Sequence, residues 1–275
     1  MLLLISSLAL ATTPDRDDSW LNGDRQQGPR VRLNAEVGAL LPVSHKIQFD
    51  QDGTYFDYVK DGGQDNLFAT TRWSADLDLG QRHSIVLLYQ PLDLQTSVLL
   101  QEDLVVDDEV FAAGTPMALR YGFSYTRASY LYDLQPGADR ELAIGASLQL
   151  RNAVIDFRSE DGTQQRSNRN IGPVPILKVR TRQPFGEQAW WGVEADGFYA
   201  PISYLNGDNN DVVGAILDAN ARVGLELDSG VDAYLSLRYI GGGAVGTDDD
   251  NTGPGDGYNR NWIHLTALTL GFQLR

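Results

Sequence analysis

Residues 213–227 read VGAILDANARVGLEL, and this stretch decides the fold class. Every second residue from Val213 to Leu227 is apolar, whereas the positions between them include Asp218, Arg222 and Glu226. A β-strand places successive side chains on opposite faces, while a helix would scatter this pattern around its axis. The stretch is therefore predicted to be a long β-strand with one apolar and one polar face.

The same alternation recurs along the rest of the chain. It covers Val31–Ala39, Leu67–Leu79, Leu119–Tyr125, Leu142–Leu150, Leu177–Val179, Trp191–Ala195, Val231–Leu237 and Trp262–Leu274. The segment His83–Leu92 is apolar on both faces, so its orientation stays open, and Pro173 and Pro175 indicate a strand start at the sixth run. We expect an all-β fold of about ten strands, within a range of roughly 8 to 12.

Alternation alone fits either a soluble β-sandwich or a closed antiparallel up-and-down transmembrane β-barrel, because each has one apolar and one polar face. Strand length favours the barrel. Several runs continue beyond the ~5 to 6 residues usual in globular sheets and reach the ~9 to 11 that a tilted transmembrane strand needs.

The connections between the runs also favour the barrel, because short and long ones alternate. Short turns are expected at Gly80–Arg82, Gln135–Arg140, Gln183–Glu187 and Asp228–Gly230. Long loops are expected at Pro42–Gly63, Asp93–Pro116, Asp156–Pro173, Pro201–Asp211 and Gly241–Asn261. Outer-membrane barrels have tight periplasmic turns and longer external loops, which would leave both ends of this chain in the periplasm.

The polar faces carry charges of both signs among small residues, which suits the narrow interior of a small barrel. Unpaired charges away from bulk water are costly, so these side chains should pair and fill much of the lumen. The predicted lumen network consists of Arg32, Glu36, Arg72, Asp76, Arg120, Glu141, Arg151, Lys178, Arg180, Glu194, Asp196, Asp218, Arg222 and Arg238.

Composition narrows the possible functions. The chain has no cysteine, which excludes disulfides, thiolate metal sites and thiol nucleophiles. Its formal charge of −15 argues against a nucleic-acid partner, because phosphate binding needs a basic face.

Residues 1–11 are expected to be an export signal. Leu2–Ala11 is largely apolar and ends in the small-x-small pattern Ala9-Leu10-Ala11. The run is too short to cross a bilayer as a helix, which takes about 20 residues. Residues 12–28 would then form a periplasmic segment, and 29–275 the barrel, located in the bacterial outer membrane.

The signal, the long alternating strands, the rhythm of turns and loops, and the terminal run Thr269–Arg275 together resemble small outer-membrane barrels of the OmpA and OmpW type. The resemblance covers nearly the whole chain and is one of pattern. It implies contact with outer-membrane lipid and lipopolysaccharide, and recognition by the barrel-assembly machinery, for which Phe272 is the aromatic residue near the end of the final strand.

Two histidines are weak candidates for catalysis. Barrel closure should pair the first and last strands, bringing His45 and His264 to the external rim with Ser44 nearby. The topology also resembles omptin-type proteases, although no motif matches theirs residue by residue. Interface packing or loop hydrogen bonding is the simpler interpretation of both histidines.

An acidic loop is a weak candidate for Ca²⁺. Asp248, Asp249, Asp250 and Asp256 provide oxygen ligands among flexible glycines, but the EF-hand spacing and its terminal glutamate are missing. No cofactor is expected, and a solvated acidic loop is the simpler interpretation. Gly241, Gly242 and Gly243 are expected to let the strand bend into the fifth loop.

We expect an outer-membrane barrel with a structural, surface-interaction or narrow solute-passage role, and no catalytic set stands out. The alternatives are an outer-membrane hydrolase of lipid or peptide with a rim site near His45 and His264, and a soluble periplasmic all-β binding protein.

Overall fold

The computed structural model of the chain describes residues 29–135, 140–201, 211–227, 230–248 and 253–275. The expected signal, the following segment to residue 28, Asp249 and Asp250 lie outside these ranges. Among the described residues there is no helix of the length and apolar character needed to cross a bilayer.

The described residues form fourteen β-strands. They are β1 (Arg30–Phe49), β2 (Phe56–Asp57), β3 (Phe68–Leu79), β4 (His83–Gln90), β5 (Asp93–Leu99), β6 (Leu104–Val106), β7 (Glu109–Phe111), β8 (Pro116–Asp133), β9 (Glu141–Ser159), β10 (Gln165–Phe185), β11 (Ala189–Pro201), β12 (Val213–Leu227), β13 (Val231–Thr247) and β14 (Tyr258–Leu274).

The strands close into an antiparallel barrel, as predicted. Each long strand pairs with its neighbour in sequence, and β14 pairs with β1 from Leu33↔Leu274 to Phe49↔Asn259. Strands β4 and β5 both pair with β8 and together occupy one place in the wall, interrupted at Pro91 and Leu92. Proline has no N–H for the ladder, which explains the break. The wall therefore has ten strands.

The two ends of the barrel differ. One, here called the turn end, carries the connections 80–82, 134–140, 186–188 and 228–230. The other, here called the loop end, carries 50–67, 100–115, 160–164, 202–212 and 248–257. The expected loops at Pro42–Gly63, Asp93–Pro116 and Gly241–Asn261 are shorter than predicted, because the flanking strands extend past the outer belt described below.

The predicted long loop Asp156–Pro173 is wrong. Strand β9 continues to Ser159 and β10 begins at Gln165, with an unbroken register from Gln165↔Arg158 to Arg182↔Glu141. The two prolines lie inside β10 rather than at its start. Residues 156–170 are mostly polar, and for that reason they were predicted to form a loop. A strand that extends beyond the apolar belt is surrounded by water on its outer face, so its outward side chains need not be apolar.

The outer wall carries a continuous apolar belt. Its exposed side chains include Val31, Leu33, Val37, Leu41, Trp73, Ile85, Leu87, Tyr89, Tyr130, Ile144, Leu148, Leu150, Ile171, Leu177, Val179, Val193, Leu217, Val223, Leu225, Leu235, Leu237, Leu268, Leu270 and Phe272. This settles the orientation of β4, in which Ile85, Leu87 and Tyr89 point outward. An exposed apolar surface of this extent marks contact with lipid or a partner.

A β-bulge between Pro42 and Ser44 shifts the phase of β1. Below it the even-numbered residues point into the barrel, and above it His45, Ile47 and Phe49 do so. One extra residue in a strand re-aims the side chains that follow.

Gly241, Gly242 and Gly243 lie within the β13 ladder, so they do not mark the exit into a loop. A Cβ at Gly243 would stand 1.8 Å from the Asn261 carbonyl oxygen. Glycine therefore permits the close approach of β13 and β14.

Candidate functional site

The middle of the lumen holds a compact group of buried ions. The Arg238 Nε and Nη2 atoms donate to the two carboxylate oxygens of Asp218 at 2.6 and 2.7 Å. Arg127 Nη1 lies 2.8 Å from Asp196 and 3.1 Å from Asp218. The Tyr125 hydroxyl accepts from Arg238 at 2.5 Å. The two guanidinium groups thus share one carboxylate, which lets like charges lie side by side.

The group continues across the lumen through Glu194. Lys178 Nζ is 2.8 Å from both Glu194 and Asp196, and Arg72 Nη2 donates to Glu194 at 2.9 Å. Arg72 also donates to Glu36 at 2.9 Å. Strands from opposite sides of the wall are tied together by these contacts.

The turn end is closed by a second set of ion pairs. Arg180 bridges Asp76 at 2.6 Å and Glu141 at 2.8 Å. Arg182 contacts Asp232 and Glu226, both at 2.8 Å, and its guanidinium carbon lies 4.1 Å from the centre of the buried Trp190 ring. A cavity of about 40 Å³ remains between these groups, which is room for only a few water molecules.

The structure places most of the predicted lumen residues inside the barrel and in contact with one another. Arg32 joins Asp76 and Asp78, and Arg222 joins Glu36 and Glu194. The predicted set missed three basic members, Arg127, Arg182 and Arg275, and three acidic members, Asp78, Glu226 and Asp232. The alternation in β8 and β10 could have identified Arg127 and Arg182, provided that the inward-facing positions of these strands had been assigned correctly.

Arg120 does not belong to the lumen network. It lies on the outer wall with its side chain 44% exposed and donates to Asp93 at 2.8 and 3.0 Å. In this part of β8 the odd-numbered residues, among them Leu119 and Tyr121, point inward. Arg151 does point inward but contacts no carboxylate among the described residues.

The loop end of the lumen is apolar rather than charged, and we call its filling the plug. The plug consists of Leu40, Ile47, Phe49, Phe56, Tyr58, Leu92, Leu94, Leu100, Leu104, Val106, Phe111, Met117, Leu119, Tyr121, Ile155, Phe157, Ile240, Ile263, Leu265 and Ala267. Two loops provide part of it, through Phe56 and Tyr58 in the first and the β6–β7 hairpin in the second. Backbone and side-chain hydrogen bonds between Thr54 and Val105, each 2.9 Å, join these loops.

His45 is a member of the plug region and is fully buried. Its Nδ1 atom lies 2.8 Å from Gln64 Oε1, and its ring stacks on Tyr58 at 4.4 Å and meets Tyr121 edge-on at 4.3 Å. These contacts support a packing role.

His264 points out of the barrel, so the two histidines do not face a common space. It lies opposite Ser44 in the β1–β14 register, and its Nδ1 atom is 2.6 Å from the Tyr239 hydroxyl. A similar pair, His83 and Tyr130 at 2.7 Å, lies on the outer wall near the turn end. The recurrence of the pair at the two edges of the belt is typical of interfacial anchoring.

A basic and aromatic patch lies on the outer wall just above His264. Lys46 and Arg260 approach the Tyr55 ring, with the charged groups 5.6 and 4.5 Å from its centre. Trp262 is the cross-strand partner of Lys46. We call these four residues the outer patch.

Three carboxylates from different loops meet at the top of the barrel. Asp50 accepts from the Asp256 backbone N–H at 2.6 Å, and Arg166 donates to Asp107 at 2.5 Å. Burial, assisted by repulsion from nearby carboxylates, raises the pKa of Asp50 and of Asp107. Hydrogen bonds from backbone N–H groups, first that of Tyr258, lower the pKa of Asp256.

In the described part of the chain, no group of three or more histidine or acidic side chains is arranged to hold a metal ion. Two of the candidate ligands, Asp249 and Asp250, lie outside the described residues. The Ca²⁺ expectation for this loop therefore stays a prediction.

No family model and no curated protein matches this sequence. Among solved structures, the chain is similar to the outer-membrane protease OmpT from Escherichia coli, with 9% identity and a TM-score of 0.48 over 89% of this chain and 96% of that one. Ail of Yersinia pestis gives 8% and 0.37 over 89% and 99%, and the toluene transporter TodX of P. putida gives 8% and 0.34 over 91% of each chain. The OmpA and OmpW type stays a prediction.

Proposed function

We propose that this chain is a bacterial outer-membrane barrel that is closed to solute flow and presents its folded loop end at the cell surface. In this orientation the turn end faces the periplasm and the apolar belt contacts lipid. The observation that carries the proposal is the filling of the lumen at two levels, by buried ion pairs and by the plug.

The two levels have different chemistry, and both oppose passage. A permeating ion would have to displace Arg127 and Arg238 from Asp218, and burying an unpaired charge costs several kcal/mol. A polar solute that entered through the plug would have to separate its apolar side chains. A structural or surface-interaction role therefore fits the lumen better than a narrow passage.

Recordings in planar bilayers test this proposal directly. The folded protein is expected to give no steady single-channel current, because both levels are closed. A variant in which a short Gly-Ser linker replaces residues 101–113 removes the hairpin and leaves the ion pairs of the middle of the lumen and of the turn end. It is also expected to be silent. Steady current from the unaltered protein would overturn the proposal, and current from the variant alone would show that the plug is the only seal.

We further propose that the outer patch contacts the phosphorylated headgroups of lipopolysaccharide. The patch lies directly above the belt residues Leu41 and Leu268, at the depth where headgroup phosphates would lie. Each basic group near an anionic surface contributes on the order of 1 kcal/mol of attraction.

Replacing both Lys46 and Arg260 by glutamine is expected to weaken binding to vesicles that contain lipopolysaccharide by roughly ten- to thirtyfold. The measurement is co-flotation of the detergent-solubilised protein with such vesicles at several salt concentrations. A matched control replaces Arg82 by glutamine, near the turn end. Equal loss in both variants would contradict a specific role for the outer patch. Recognition by the barrel-assembly machinery through Phe272 stays a prediction.

A further inference from the structure

Arg151 differs from the other basic side chains that point into the barrel. Arg32, Arg72, Arg127, Arg166, Lys178, Arg180, Arg182, Arg222 and Arg238 each have a carboxylate partner. Arg151 has none among the described residues. Its Nη2 atom donates to Asn170 Oδ1 at 2.7 Å, and its buried Nε has no hydrogen-bond partner. Holding a guanidinium away from bulk water without a counter-charge is energetically unfavourable, so a bound anion would stabilise Arg151.

The space beside Arg151 is open. Gly172 lies directly opposite Arg151 in the β9–β10 register, on the inward face of β10. A Cβ at Gly172 would meet no atom of the described residues within 4 Å, and the backbone there has no positive φ that would demand glycine. The adjacent inward residue toward the loop end, Asn170, is exposed. The missing side chain thus leaves a pocket next to the guanidinium that opens toward the loop end.

Neutral polar groups surround this space. Asn168 and Asn170 project from β10, and Tyr121 on the adjoining wall lies close enough to Arg151 to interact with it electrostatically. Amides and a phenol can bind hydroxyl groups, and none of them competes for the positive charge of Arg151.

We propose that Arg151, Gly172, Asn168 and Asn170 form a binding site for a small hydroxylated solute that carries an oxyanion group. The guanidinium binds the carboxylate, sulfate or phosphate group through paired hydrogen bonds, and the amides bind the hydroxyl groups. Strand β10 contributes no residue to the plug, so the solute enters from the loop end along β10. It goes no further, because Arg127 lies one residue pair below and hydrogen-bonds to Gln149 there. The site adds a ligand to a barrel that is otherwise closed.

Calorimetric titration of the folded protein in an uncharged detergent tests the site, with glucuronate, sulfate and phosphate compared with chloride at constant ionic strength. At least one of the three oxyanions is expected to bind saturably and to raise the unfolding temperature. Arg151→Gln is expected to weaken that binding at least about tenfold, the loss expected for one charge-assisted interaction. Gly172→Val keeps the charge and fills the space, and it is expected to weaken binding to a similar extent.

Arg120→Gln is the matched control, because it removes an arginine that lies on the outer wall and already has a carboxylate partner. Its binding should equal that of the unaltered protein. Heat-modifiable gel mobility verifies that each variant is folded, and Gly172→Val tests the site on its own should Arg151→Gln fail to fold. Binding of no oxyanion above chloride, or unaltered binding in a folded Arg151→Gln or Gly172→Val variant, would overturn the proposal. Neither result depends on whether the barrel conducts.

Discussion

Replacing Asp218 by alanine is expected to destabilise the barrel by about 3 to 5 kcal/mol, the cost of leaving a buried charge without its partner. Asp218 is 2% exposed and holds Arg127 and Arg238 together, whose side chains are 1% and 3% exposed. Without this carboxylate the two guanidinium groups repel each other across a space that bulk water does not reach. The measurement is urea-induced unfolding followed by heat-modifiable gel mobility and tryptophan fluorescence.

Two controls separate charge from general damage to the strand. Asp218→Asn keeps the shape of the side chain and removes its charge, so it should recover only part of the loss. Asp93→Ala removes the carboxylate partner of Arg120 on the outer wall, where the pair is 36–44% exposed and worth about 0 to 1 kcal/mol. If Asp218→Ala unfolded at the same urea concentration as Asp93→Ala, the ion pairs would not hold the lumen together.

The sequence was sufficient to predict the barrel, because the period-two alternation in β12 and in β14 covers more residues than a typical strand of a soluble sheet contains. Closure followed from the same patterns, since the first and last strands had to pair. Most of the lumen charges could be predicted as well, because they occupy the positions between the outward-facing apolar residues of their strands.

One physical cause of the wrong predictions is the change of environment along a strand. In β8, Tyr130 and Ala128 point outward in the belt, so Arg127 and Ser129 point inward. Toward the loop end the outward residue becomes Arg120 and the inward ones become apolar, since the wall there encloses the plug. A single strand with an inverted pattern at its two ends cannot be assigned one polar face.

The phase of β1 could not be predicted either. The bulge between Pro42 and Ser44 turns His45 into the barrel and leaves His264 outside. The pairing of β1 with β14 brings His45 and His264 to the same level of the wall. Which side of the wall each side chain takes depends on that one extra residue, which no alternation pattern signals.

Replacing Phe111 by alanine is expected to lower the free energy that keeps the hairpin packed in the plug by about 3 to 5 kcal/mol, as for other fully buried aromatic side chains. Phe111 lies at the end of the β6–β7 hairpin, is 0% exposed and belongs to the apolar cluster that fills the loop end. The hairpin is a separate two-stranded sheet without ladder pairing to the wall. Its packing therefore holds it in place together with a few contacts from neighbouring segments, such as those from Thr54 and Arg166. Hydrogen exchange of residues 104–111 and proteolysis of the hairpin should therefore increase sharply.

Val110→Ala is the matched control, because Val110 is the neighbouring residue of the same hairpin and is 51% exposed. Its effect should stay within about 0.5 kcal/mol. The urea midpoint of the barrel itself should change little in Phe111→Ala, because the wall ladder and the ion pairs are intact without the hairpin. A midpoint lowered as far as in Asp218→Ala would contradict this division, since the plug and the wall would then unfold as one cooperative unit.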